Sequence, residues 1–143
     1  EYSKNKKSAN KLLKLILFTL LFLTSLCFLL INIFIIDIVK YFSNENILLI
    51  SSILRILLFS FIINVIEEVM VNHYLMPNGM YNSINKLKIS ILLTSLLSGL
   101  PLMYIYGLKG VAYANVISEL IGLLYILFIY NKTKNKDYKI QSF

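Results

Sequence analysis

The fold class that this sequence predicts is an all-α integral membrane bundle of four transmembrane helices, and three observations predict it. Hydrophobic residues make up 58% of the 143 residues, against about 45–50% in soluble domains. Mean hydropathy is +0.76. Four apolar runs approach the length of about 17–25 residues that crosses a hydrocarbon core of about 30 Å. Because a chain this small cannot bury four such helices in a water-soluble core, we expect all four to cross a membrane.

The four runs follow one another closely and leave room for a single transmembrane unit, residues 1–143. The predicted spans are residues 12–36, 47–71, 87–106 and 111–130, followed by a polar tail at residues 131–143. The turn Gly107–Gly110 separates the last two spans. A connection this short predicts an antiparallel helical hairpin.

Lysines cluster at alternate ends of the spans, and this asymmetry predicts the orientation of the chain. The leader contains Lys4, Lys6, Lys7 and Lys11, with Lys14 just inside the first span; the segment between the second and third spans ends in Lys86 and Lys88; and the tail contains Lys132, Lys134, Lys136 and Lys139. The two other connections hold only Lys40 and Lys109. Since short basic loops stay in the cytoplasm, we expect both termini inside and the connections near Asn44 and Leu108 outside. The net charge of +7 is thus a topology signal, and no nucleic-acid partner is predicted.

The second span carries polar residues at helical spacing. On a helical projection, Ser60, Asn64, Glu67 and Glu68 fall within an arc of about 100° and form one face. Glu67 and Glu68 lie near the cytoplasmic boundary, where the first interpretation is that both reach interfacial water. Arg55 points the opposite way, so a straight helix cannot direct all of these residues into one cavity.

Arg55 and Glu119 lie at matched depths in the second and fourth spans, about eight residues or roughly 12 Å from the same side. A lone charge at that depth is costly. We therefore expect either a structural Arg55–Glu119 ion pair or a direct role for both in a substrate or ion path. Asn115 lies one turn before Glu119 and shares its face. The candidate residues for such a path are Arg55, Asn64, Glu67, Glu68, Asn115 and Glu119.

Small residues recur at intervals of four in the last two spans, where they predict close helix packing. They are Ser95 and Gly99 in the third span and Ala114, Ser118 and Gly122 in the fourth. Pro101 removes one backbone hydrogen bond from the third span, so we expect a kink there.

Residue patterns of enzymes and cofactor sites are absent from the sequence. It has no phosphate-binding glycine loop, no cluster with metal-ligand spacing and no catalytic triad pattern. Cys27 is the single cysteine and is expected to serve packing, and His73, near the Pro77-Asn78-Gly79 turn signal, is expected to be solvated. We expect neither catalysis, nor a metal, nor a cofactor.

The fourth span and the turn before it resemble the bacterial polysaccharide flippases of the Wzx type, in the multidrug/oligosaccharidyl-lipid/polysaccharide exporter superfamily. The resemblance rests on the segment from Gly107 to Glu119, GLKGVAYANVISE, which is similar to the family's Gly-x-x-Gly turn, Ala-rich helix and Ser-Glu pair. The Leu54–Leu57 segment and the Asn78-Gly79 turn are also similar. The resemblance covers most of the chain.

This resemblance implies a fold and a function. Members have about twelve helices around a central cavity and move undecaprenyl-diphosphate-linked oligosaccharide across the bacterial cytoplasmic membrane for O-antigen, lipopolysaccharide, capsule or related surface polymers. The chain would then be the carboxy-terminal portion, with membrane lipid, the lipid-linked oligosaccharide and the remaining helices of the transporter as partners. Arg55 would bind the diphosphate and a buried carboxylate such as Glu119 would serve proton or sodium coupling.

Two other functions stay open at this point. A fragment of a drug/cation antiporter of the same superfamily is the nearer alternative. A small four-span protein could instead act as a membrane scaffold, whose small-residue faces pack against a larger partner.

Overall fold

Four long helices make up the protein. The computed structural model describes residues 2–42 and 45–140, and the side chains of residues 8, 11–42 and 45–133. The elements are α1 (Tyr2–Phe42), α2 (Ile47–Met70), a π-helical turn (Val71–Leu75), α3 (Tyr81–Tyr106) and α4 (Leu108–Ile140). No strand occurs in these described ranges. The predicted all-α fold class with four membrane-length helices is confirmed.

Each helix contains a segment that is long and apolar enough to cross a membrane. These segments are Lys11–Phe42, Ile47–Leu75, Tyr81–Tyr106 and Leu108–Thr133. The first extends beyond the predicted end at Ile36, and α4 continues past Tyr130 into the predicted polar tail. Both extensions have the same reason: residues 2–42 and 123–140 contain neither glycine nor proline, so nothing local ends the helix.

The connections between helices use residues suited to sharp turns. Asn46, just before α2, has a φ of 53°, and Gly107, between α3 and α4, has a φ of 61°. The turn from residue 76 to residue 80 contains Gly79 at a φ of 68°, and the Asn78 Nδ2 donates to the Tyr74 carbonyl oxygen over 2.6 Å. Residues 43 and 44, and with them the predicted outer connection near Asn44, lie outside the described residues.

The helices pack in the order α1, α2, α4, α3, with the most extensive contact between α3 and α4. Helices α2 and α4 therefore lie in the centre. A buried apolar cluster joins the helices at the end of the bundle where α1 begins; its members are Leu13, Val69, Met70, Val71, Leu75, Leu87 and Ile126. At this same end the Tyr74 ring packs edge-to-face on Tyr130, with centroids 4.9 Å apart.

The outward faces of α1 and α3 carry large exposed apolar side chains. Examples are Phe18, Phe22 and Ile33 on α1 and Leu92, Leu97 and Leu100 on α3. In water such a surface would drive association, whereas in lipid it is the ordinary outer surface of a helix. Together with the lengths of the helices, these surfaces make the chain a multi-pass membrane protein.

Candidate functional site

Polar side chains line the contact between the two central helices. We call this contact the polar seam and define it as Ser60, Asn64 and Glu67 of α2 with Asn115, Glu119 and Gly122 of α4. Ser60 meets Asn115 and Asn64 meets Glu119, and in both pairs the partners are 55 residues apart. Glu67 lies against Gly122 at the same separation. Because this separation is the same for all three pairs, over about two helical turns, α2 and α4 run parallel and in register.

Helical periodicity explains why these residues share one contact. On α2 the residues Ser60, Asn64 and Glu67 are spaced four and then three apart, and Asn115, Glu119 and Gly122 repeat the same spacing on α4. Positions i, i+4 and i+7 form one stripe of an α-helix. Two such stripes in register place three residue pairs between the helices: two pairs of polar residues, and Glu67 opposite the small residue Gly122.

Two of the three pairs are joined by hydrogen bonds. The Asn115 Nδ2 donates to the Ser60 Oγ over 2.8 Å, and Ser60 is buried. One turn further, the Asn64 Nδ2 donates to the Glu119 Oε2 over 3.4 Å. Glu119 is only 9% exposed. The carboxylate therefore lies inside the protein, with a side-chain amide as its donor.

Glu67 is the most unusual member of the seam. Its side chain is 0% exposed, and neither carboxyl oxygen has a hydrogen-bond partner among the described residues. Gly122 makes room for it, since a Cβ there would collide with the Glu67 Oε1 and with the Ile91 side chain of α3. The interpretation that Glu67 reaches interfacial water is therefore wrong: α4 and α3 cover it.

Glu68 differs from its neighbour although both carry the same charged group. Its Oε1 lies 2.6 Å from the Lys88 Nζ of α3, and both side chains are about half exposed, at 44% and 47%. Lys88 is thus held by Glu68 at the surface of the bundle. Glu68 stays outside the polar seam.

The predicted ion pair between Arg55 and Glu119 is not formed. Arg55 is exposed, whereas Glu119 is buried and accepts from Asn64. The reason is angular: α2 stays helical from Ile47 to Met70, so Arg55 faces away from the side that contacts α4. Among the described residues Arg55 has no salt-bridge partner.

The small residues lie at contacts between the helices. Ala114 and Ser118 are buried, Ser95 and Gly99 are half-buried, and a Cβ on Gly99 would come within 3.8 Å of the Ala114 Cβ. Ser118 donates its hydroxyl to the Asn115 carbonyl oxygen over 2.8 Å. Pro101 lies inside α3, which continues to Tyr106.

Sequence reasoning missed one packing residue and misplaced another. Gly110, taken only as part of the turn, is buried, and a Cβ there would collide with the backbone carbonyl of Leu102. Cys27 is exposed on α1 and not packed inside the bundle.

The described residues contain no group of three or more His, Cys, Asp or Glu that could hold a metal ion. What the seam offers is two carboxyl groups, two carboxamides and a hydroxyl, all between helices. Such groups can bind a small cation or form hydrogen bonds with a polar solute. No family model, no curated protein and no solved structure matches this chain.

Proposed function

We propose that the chain is part of a flippase that moves undecaprenyl-diphosphate-linked oligosaccharide across the bacterial cytoplasmic membrane for surface polysaccharide biosynthesis. The observation that carries the proposal is the polar seam, because ionisable groups inside a membrane bundle are costly and are kept for transport paths or ion sites. The resemblance of the Gly107–Glu119 segment to the Wzx-type flippases supplies the substrate class.

The position of Arg55 supports a contact with the substrate. A guanidinium binds phosphate oxygens through two parallel hydrogen bonds. Arg55 is exposed, and no described carboxylate neutralises it. In the proposed transporter it faces the translocation path and binds the diphosphate, while the polar seam lies on the opposite side of α2.

The packing order supports assembly with further helices. Helices α1 and α3 form the two outer members of the row, so each has a large face that no described helix of this chain covers. The remaining helices of the proposed transporter, together with lipid, cover these faces. Both termini then lie in the cytoplasm, as the lysine distribution predicts.

The small-residue faces weigh against the scaffold alternative. Ala114, Ser118 and Gly122 are buried against helices of the same chain, so they are not available to a separate partner. A drug/cation antiporter would contain the same polar seam and would differ from the flippase in its substrate. It is therefore the second candidate.

Complementation tests the proposal. In a strain that lacks its own lipid-linked-glycan flippase, this chain replaces the last four helices of that flippase, and surface polymer is measured. The chimera should restore the polymer, Arg55→Lys should retain part of the activity, and Arg55→Leu should lose most of it at equal membrane levels. A membrane-inserted chimera that restores no polymer but lowers accumulation of a cationic dye would instead support the antiporter.

A further inference from the structure

One end of the bundle carries exposed lysines from three helices, and we call this group the basic face. Its members are Lys11 and Lys14 on α1, Lys86 near the start of α3 and Lys132 near the end of the apolar segment of α4. The described carboxylates at this end leave them unpaired, because Glu68 binds Lys88 and Glu67 is buried between the helices. The basic face therefore keeps its positive charge.

The buried apolar cluster at this end fixes the backbone that carries two of these lysines. Leu13, directly before Lys14, is a member of the cluster, and so is Leu87, directly after Lys86. Because each lysine adjoins a buried residue, the starts of α1 and α3 are held together and the charges do not separate with independent helix ends.

The end of α4 is held through the π-helical turn. The hydroxyl groups of Tyr74 and Thr133 are hydrogen-bonded, and Thr133 directly follows Lys132. The Tyr74 ring also packs edge-to-face on Tyr130, one turn earlier in α4. The three helices that supply the basic face are thus joined at this end of the bundle.

The described residues at the opposite end show no comparable excess of positive charge. Lys40 and Lys109 lie there together with the carboxylates of Asp37 and Glu45, and Arg55 lies about two turns deeper along α2. Balanced charges produce a weak field, whereas clustered lysines produce a positive potential that extends for about 8–10 Å at physiological salt. The two ends of the bundle therefore present different surfaces to the lipid headgroups around them.

We propose that the basic face binds the phosphate headgroups of anionic phospholipids, such as phosphatidylglycerol, in the surrounding leaflet. The position of the lysines favours lipid over a soluble anionic partner, because they lie where the apolar segments end. Lys11 is the first residue of the apolar segment Lys11–Phe42, and Lys132 is the last but one of Leu108–Thr133. Lysines at the boundary of a span attract anionic lipid electrostatically.

The apolar surface of the bundle brings these lipids to the basic face. Large exposed side chains, such as Phe18 on α1 and Leu92 on α3, lie about one turn or two farther along the same helices. Acyl chains that cover them place their headgroups at the level of the lysines. A lysine ammonium is a flexible point charge, so the headgroups bind by charge and exchange with other lipids. This surface is the same whichever solute the bundle carries.

Fluorescence quenching by brominated lipids tests the proposal. The chain contains no tryptophan, so one introduced tryptophan reports on one place. Tyr81→Trp and Tyr104→Trp replace exposed tyrosines at the basic and opposite ends of α3. In nanodiscs, brominated phosphatidylglycerol should associate about threefold or more tightly than brominated phosphatidylcholine near Tyr81→Trp, and about equally near Tyr104→Trp. The preference should fall toward one in about 1 M NaCl, where the Debye length is about 3 Å.

Replacement of the four lysines of the basic face by glutamine should remove the preference at Tyr81→Trp. Lys40→Gln is the matched control, since it removes an exposed lysine of α1 at the opposite end and should leave the preference unchanged. A preference that persists without the basic face overturns the proposal, as does one that Lys40→Gln abolishes. Should the four-lysine variant fail to insert, the proteins with all lysines present decide: equal preference at the two tryptophans, or a preference insensitive to salt, overturns it.

Discussion

Glu119 is accommodated inside the bundle by the amide of a neighbouring helix. Asn64 donates to it, and Asn115 makes the equivalent donation to Ser60 one turn away. Hydrogen bonds between membrane helices contribute about 0.6 kcal/mol on average and up to about 1.7 kcal/mol. The two bonds therefore add little stability, and their main effect is to fix the register of α2 against α4.

A double-mutant cycle should separate the true partner of Glu119 from the predicted one. Asn64→Leu and Glu119→Leu should show a coupling energy of about 0.5–1.7 kcal/mol in unfolding from mixed micelles. Arg55→Leu and Glu119→Leu should be additive within about 0.5 kcal/mol, because these residues share no contact. A larger coupling between Arg55 and Glu119 would contradict the arrangement of the helices described above.

The sequence predicted which residues share one face of a helix, but not which helix that face contacts. The helical period correctly placed Ser60, Asn64 and Glu67 on one face with Arg55 pointing away from it. It also assigned Glu68 to that face, whereas Glu68 pairs with Lys88 at the surface. Matched depth, however, suggested a pair between Arg55 and Glu119, and depth alone says nothing about which face of α2 meets α4. The contact partners depend on the rotation of both helices, which no local pattern specifies.

At the scale of elements, the hairpin of α3 and α4 depends on close backbone approach near its turn. Gly107 supplies a positive φ, and Gly110 lets the first turn of α4 lie directly against Leu102 of α3. The small-residue stripe predicted tight packing for this hairpin. It did not indicate Gly110 as a packing residue, because a glycine beside a turn is already explained by its conformational freedom.

Two alanine substitutions should therefore have opposite outcomes. Gly110→Ala pushes a methyl group into the backbone of Leu102, which cannot rotate away, so we expect a loss of about 1–3 kcal/mol in unfolding free energy. Gly99→Ala is the matched control: its methyl group meets Ala114 at an ordinary contact distance of 3.8 Å and should be tolerated. Equal stability of the two variants in mixed-micelle unfolding would show that α3 and α4 are farther apart than the structure has them.

For the whole molecule, the row of four helices puts the polar groups in the middle and the large apolar groups outside. Helices α2 and α4 are not consecutive in the chain, yet they share the seam because α3 returns on the far side of α4. The number of spans follows from composition and length. The side-by-side order of the helices does not follow from the sequence. An apolar helix face can contact either lipid or another helix, so it does not indicate which helix it meets.

The orientation of this row in the membrane is the last prediction. Lysine-rich flanks resist translocation, so both termini and the 71–80 connection should lie in the cytoplasm, with Gly107 and the residues around it outside. The test introduces single cysteines in a Cys27→Ser background, so that each variant carries one thiol. An impermeant maleimide applied to intact cells should label Leu108→Cys, at an exposed residue of the outer turn, and should label Asn135→Cys only after permeabilisation. Labelling of Asn135→Cys in intact cells would reverse this topology.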